Sequence, residues 1–245
     1  MLSVKQSCAS VALGAAAVAL FLGVAQAGAQ TQDAQAQAQA HQDLDRQMLS
    51  QMAQPPATFP VTPERRALAR RLVVSLDGPA KLHAFGEMGT LMARKQFDEQ
   101  LKNAPAAQRA VIEKAYFDSL PEAQARYEAR AIDEMVDYYA GHLSLDDMSA
   151  ATTFYASPLG ARVVHSDPPL TADERQQVGK AMLETPALQR FTAVQLALMK
   201  NQQSGAPQEQ ARLIADTKAG FCRRLAAAHF RSPACAASGQ RTAAR

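Results

Sequence analysis

From Thr62 to Cys235 one local pattern recurs: a cap residue, often a proline, then apolar residues every third or fourth position. Thr62-Pro63, Ser157-Pro158 and Thr185-Pro186 each put a hydroxyl cap before a proline suited to the first helical turn. Ser144-Leu-Asp-Asp147 and Thr171-Ala-Asp-Glu174 read as capping boxes, the first with Asp in place of the usual Glu. Between these starts run helical stripes: Leu68, Leu72 and Leu76, then Leu82, Phe85, Met88 and Met92, with Phe97 and Leu101 beyond. Asp77-Gly78-Pro79 closes one helix and opens the next. Asn103-Ala-Pro105 starts a segment to Leu120 carrying Val111, Ile112, Ala115 and Tyr116, and Pro121 reads as a fresh start. Ile132, Met135, Val136, Tyr139 and Leu143 then form the clearest stripe, opposite Arg130, Asp133, Glu134 and Asp137. Leu145, Met148, Ala151 and Tyr155 follow the Ser144 start, and Leu188, Phe191, Val194 and Leu198 the Thr185 start. Ser204-Gly-Ala-Pro207 reads as a loop before a last helix with Ile214, Phe221 and Leu225 on one face and Thr217 as its polar member. No segment sustains the period-2 alternation of a strand, so the fold expected is all-α, one compact domain of about seven to nine helices.

The N-terminal part reads differently. Met1–Ser7 carries one positive side chain, Lys5; an apolar run from Val11 to Val24 follows and ends at Ala25-Gln26-Ala27. That is the layout of a signal peptide, with a run too short for a spanning helix of about 20 residues. From Gln32 to Gln42 the chain is mostly Ala and Gln, a composition that cannot bury enough surface to offset its ordering entropy. Leu44, Met48 and Met52 would allow at most a short transient helix before Pro55, Pro56 and Pro60. The expected organisation is 1–27 signal peptide, 28–60 disordered Ala/Gln/Pro leader, 61–236 helical domain and 237–245 flexible tail. The product would be periplasmic or secreted, with no transmembrane segment after cleavage.

That address bears on the cysteines. Of three, Cys8 would leave with the signal peptide, and Cys222 and Cys235 would remain in an oxidising compartment, which points to a disulfide. If the helix carrying Cys222 ends near Arg231, it advances about 13 Å, and four extended residues cover about the same distance back. A net charge of +3, with Arg and Lys interleaved among Asp and Glu, is not a nucleic-acid footprint, so no nucleic-acid partner is expected.

The most distinctive stretch is Tyr139-Ala-Gly-His-Leu-Ser-Leu-Asp-Asp-Met148 leading into Thr153-Phe-Tyr-Ala-Ser-Pro-Leu-Gly-Ala-Arg162. It resembles the signature of the domain of unknown function 2059, with Phe154, Tyr155, Ser157, Pro158 and Gly160 matching its Phe-Tyr-x-Ser-Pro-x-Gly segment. The resemblance implies an exported helical protein of Gram-negative bacteria and supplies no catalytic residue. Physically, the segment reads as a helix–kink–helix corner packed on the Ile132–Leu143 helix: two aromatics at a helix end, Ser157 as cap, Pro158 pre-set for the next helix, and Gly160 allowing close approach. A pocket at the kink, with the Tyr155 and Ser157 hydroxyls facing it, is the competing reading.

No nucleophile elbow, phosphate loop, dinucleotide fingerprint or His-Glu-x-x-His zinc motif is present in the sequence. The five histidines, His41, His83, His142, His165 and His229, have no spacing that forces three metal ligands together, so no metal and no cofactor is expected. Asp146-Asp147 fits the first turn of a helix, where carboxylates suit the macrodipole. Gly86-x-x-Gly89 permits close helix packing, and Arg65-Arg66 with Arg70-Arg71 form a basic strip expected to be solvated. The function expected is a non-enzymatic binding or interaction module taking an envelope protein or a small apolar ligand, with Tyr139, Phe154, Tyr155, Ser157 and Gly160 as the candidate surface. The alternative is a cell-envelope hydrolase, which would need His142 or His165 within reach of Ser157 or Ser166.

Overall fold

The computed structural model describes residues 57–165 and 167–236. The expected signal peptide, the leader as far as residue 56, Ser166 and the 237–245 tail lie outside the described residues. Among the described residues there is no strand. The described residues form seven helices, α1 (Pro63–Ser75), α2 (Gly78–Leu101), α3 (Ala106–His142), α4 (Leu145–Ala156), α5 (Pro158–Val164), α6 (Ala172–Glu184) and α7 (Pro186–Ala227), then a single turn α8 (Pro233–Ala236). Among them no helix is long and apolar enough to cross a membrane.

Four starts follow the expected local chemistry, whereas Thr185 begins α7 without a side-chain cap. Thr62 Oγ1 accepts from the Arg65 amide at 3.3 Å. Ser144 and Thr171 both form complete capping boxes, with Asp147 and Glu174 returning the bond to the cap amide. Ser157 Oγ accepts from the Gly160 amide at 3.1 Å. Asp77, at φ 57°, makes the left-handed turn between α1 and α2.

Two expected breaks do not occur. Pro121 lies inside α3, which is 37 residues long, and Pro207 lies inside α7, which is 42. An internal proline removes one backbone donor and crowds the preceding turn, at a cost of about 3 kcal/mol. Here both helices are held by packing on either side of the proline. Around Pro121, Ser119 sits against Gly220 so closely that a Cβ on Gly220 would be 2.9 Å from the Ser119 Cβ, and Glu122 pairs with Arg224. Around Pro207, Ser204 Oγ donates to the Lys200 carbonyl, and Glu209 pairs with Arg130 at 3.5 Å.

α3 and α7 run antiparallel along most of their length, with Tyr139 beside Phe191 at one end and Tyr116 beside Phe221 at the other. α1 lies against α3 and α4, α4 against α1 and α7, and α6 against α7. The core sits at their meeting, around Leu72, Val73, Val136, Leu143, Met148 and Phe191, all at most 1% exposed. Residues 57–60 are docked on this core: the Phe59 amide donates to the Gly141 carbonyl at 2.8 Å, and the Phe59 ring lies under the Arg65 guanidinium.

Two stripes depart from expectation. Ile214 is 59% exposed, because α3 meets that part of α7 along the Thr217–Gly220 line, to one side of Ile214. Thr217, the polar member, is buried and satisfies its hydroxyl on the Leu213 carbonyl at 2.8 Å. α2 contains no buried residue, and Met88 and Met92, expected in the core, face solvent. Near the C-terminus Cys222 and Cys235 form the expected disulfide, with Cα atoms 5.6 Å apart. The helix before it ends at Ala227 rather than Arg231, and the return starts from a left-handed His229.

Candidate functional site

The helix–kink–helix corner forms at α4 and α5. The Ser157 hydroxyl donates to the Phe154 carbonyl at 2.6 Å while accepting from Gly160, so both roles of the group are used in the corner itself. Gly160 is buried, and a Cβ there would stand 2.0 Å from the Phe154 carbonyl oxygen and 2.6 Å from the Tyr155 Cα. The close approach is thus to α4's own last turn. α4 lies against α1 and α7, and the link to the Ile132–Leu143 stretch runs through Phe191, whose ring is 5.4 Å from Tyr155 and 5.8 Å from Tyr139. Tyr139 and Tyr155 are both buried, and burial pushes both phenols up, that of Tyr155 to about 12. Both rings belong to the core, and neither lines the groove formed beside them.

Of the candidate surface residues, Phe154 lines a groove that Tyr139, Tyr155, Ser157 and Gly160 do not. An open groove of about 470 Å³ lies between α4, the end of α6 and the start of α7. Its walls are Ala150, Phe154, Ala181 and Leu188, with Asp146, Ser149, Thr153 and Thr185 as the polar members. Asp146 and Thr153 are exposed, and Phe154 and Ala181 are half-buried, so the groove is reachable from solvent. Its position follows from the Ser144 cap, which starts α4 in the phase that buries Met148, Ala151 and Tyr155 and leaves Asp146, Ala150 and Thr153 on the opposite side.

One wall is locked electrostatically. Asp147, 4% exposed, caps α4 and receives a two-pronged pair from Arg190 on α7, at 2.6 Å from Nη2 and 3.0 Å from Nε. Burial by itself would raise the Asp147 carboxyl, but the Arg190 and Ser144 hydrogen bonds outweigh it and hold the group below the ordinary carboxylate range. The sequence marks Asp147 as a cap; its partner 43 residues later carries no local signal. Of the eight groove residues Phe154 alone was a candidate surface residue from sequence, because the groove is assembled from three helices distant along the chain.

The histidines are engaged elsewhere. His142 Nδ1 donates to the Ala57 carbonyl at 3.0 Å and its ring lies on Tyr138; His165 Nδ1 is 3.5 Å from an Asp77 carboxylate oxygen. The described hydrogen bonds of Ser157 therefore do not include either ring, and Ser166 is outside the described residues. Among the described residues no three His, Cys, Asp or Glu side chains are grouped as a metal site would need. The basic strip on α1 is largely committed: Arg65 is buried and donates to the Ala140 and Leu143 carbonyls, Arg66 pairs with Asp137 at 3.0 Å, and Arg70 with Asp133 at 2.7 Å. In the glycine pair, Gly86 abuts Gln124, whereas a Cβ on Gly89 would meet nothing within 4 Å.

The fold and site thus define a helical domain with one corner motif and one open apolar groove. Residues 129–185 match the family model of an uncharacterized protein conserved in bacteria (DUF2059). This stretch comprises the end of α3, all of α4, α5 and α6, and the Asp146–Thr185 part of the groove wall. No curated protein and no solved structure matches the chain.

Proposed function

We propose that this chain is an exported, non-enzymatic binding module, and that the groove between α4, α6 and α7 is its binding site. The observation that carries the reading is the groove itself. A volume of about 470 Å³ falls in the range of ligand sites. The walls are chiefly apolar, with a few polar groups at the edge to orient an occupant, as such sites are built. The occupant that suits these walls is an alkyl or aromatic group seated against Phe154 and Ala181, with a hydrogen-bond donor near the Asp146 carboxylate. The N-terminal charge, apolar run and Ala-x-Ala site support export, and seven of the eight groove residues fall within the matched residues 129–185, which supports the choice of the groove.

The test is titration with the neutral apolar fluorophore N-phenyl-1-naphthylamine. The expected result is saturable fluorescence enhancement with the native protein and its loss in Thr153→Trp, which fills the groove from an exposed position and leaves the core untouched. Equal enhancement in both proteins, or none in the native one, overturns the assignment. N-terminal sequencing of the protein recovered from the cell envelope should begin at Gly28.

A further inference from the structure

α2 is packed on one side only. Its inward side is fixed by Gly86 against Gln124, Arg94 over the Phe117 ring, and Phe97 stacked on Tyr116 at 5.1 Å. At about 100° per residue, the side opposite these carries Lys81, Met88, Leu91, Met92, Lys95 and Glu99, with Lys95 exposed about one turn before Glu99 and at the level of Phe85 of a reversed second copy. Met88, Leu91 and Met92 are 55%, 68% and 57% exposed, a cluster of large apolar side chains on the outside of a helix. Contiguous apolar surface of this kind marks an interaction site.

The charges flanking the cluster say what fits it. Lys81 lies seven residues before Met88, and Glu99 seven residues after Met92. Seven residues are about two turns, so both charges stay on the stripe, at equal distances from the apolar centre. Such a stripe complements itself when reversed. In an antiparallel pair about a two-fold axis at the level of residue 90, Met88 faces Met92 of the second copy and Leu91 meets its own mate. Lys81 then faces Glu99 at both ends, whereas a parallel pair would set Lys on Lys. The present bonds of these two groups, Lys81 Nζ to the Leu76 carbonyl and Glu99 to Lys102, are on the surface and exchangeable.

We infer that the outward face of α2 binds a second copy of this chain in an antiparallel, two-fold pair. A 24-residue helix is about 36 Å long and about 10 Å wide, so the pair would bury roughly 700 Å² in total, below the ~1,200 Å² of a standard interface. The dimer is therefore weak and concentration-dependent. It is separate from the groove, which α2 does not line.

Sedimentation velocity of the full exported chain over a wide concentration series tests this. Reversible dimerisation is expected, and Leu91→Glu should raise the dissociation constant by about tenfold or more, with unchanged circular dichroism, by placing charge in the apolar centre. Lys81→Glu should weaken the dimer, and Lys81→Glu with Glu99→Lys should restore it. A monomer throughout, a dimer indifferent to Leu91→Glu, or a double exchange that fails to restore association overturns the pairing. So does a monomer whose α2 amides lose hydrogen-exchange protection only when residues 28–56 are removed, since the leader would then be the occupant.

Discussion

Gly160→Ala should destabilise this protein, against the sign that helix propensity gives. Gly160 lies within α5 at a helical φ, so replacing it by Ala would ordinarily stabilise by roughly 0.5–1 kcal/mol. The added Cβ, however, would stand 2.0 Å from the Phe154 carbonyl oxygen, 2.6 Å from the Tyr155 Cα and 2.7 Å from the Phe154 carbonyl carbon. All three are backbone atoms, so no side-chain rotation relieves the contact. The corner must open, which disturbs the Ser157 cap and the packing of Tyr155 on Phe191. Overpacking of this kind costs about 1–3 kcal/mol, occasionally more. With the propensity gain subtracted, the net loss is about 1 kcal/mol. At about 2–4 °C per kcal/mol for a domain of this size, Tm should fall by about 2–5 °C. Gly179→Ala in α6 is the matched control: a Cβ there meets nothing within 4 Å, so only the propensity term remains and Tm should rise by about 1–4 °C. Thermal unfolding followed by circular dichroism reads both. A Gly160→Ala protein as stable as the parent, or more so, would refute the tight corner.

Other perturbations probe the rest of the framework. Asp147→Asn should cost about 1–2 kcal/mol at pH 7, a figure discounted because Arg190 is largely exposed. Because Asp147 is held below its unfolded value, near 3.9, its contribution is complete above that pH and is lost as pH falls through the lower folded value. Urea unfolding at pH 7 and pH 3 should therefore show the gap between parent and variant narrowing in acid, and a gap that widens would contradict the pairing. Removing the Cys222–Cys235 bridge by the double Ser variant should lower stability by up to about 3 kcal/mol, given the 13-residue separation it closes. Thiol titration of the unreduced protein should find neither Cys222 nor Cys235 free.

The helix starts and the class of fold were legible in the chain because they rest on contacts within four residues. Thr62, Ser144, Ser157 and Thr171 each bond the amide three positions on, and the corner Ser157-Pro-Leu-Gly160 is closed by one of these bonds. The disulfide was legible because only two cysteines, Cys222 and Cys235, follow the N-terminal apolar run. What the chain could not reveal is how distant helices meet. A proline at a first turn and one inside a long helix look alike locally, so Pro121 and Pro207 read as breaks until the α3–α7 packing carried both helices through them. An apolar stripe states that a face seeks cover without saying from where: the Phe191 stripe is buried at the centre, whereas Met88 and Met92 face outward. Likewise Tyr139 and Tyr155 looked like surface candidates, while the groove arises beside them from α4, α6 and α7. Local hydrogen bonding is written residue by residue, but burial is decided by which helix lies against which, and only the tertiary structure sets that.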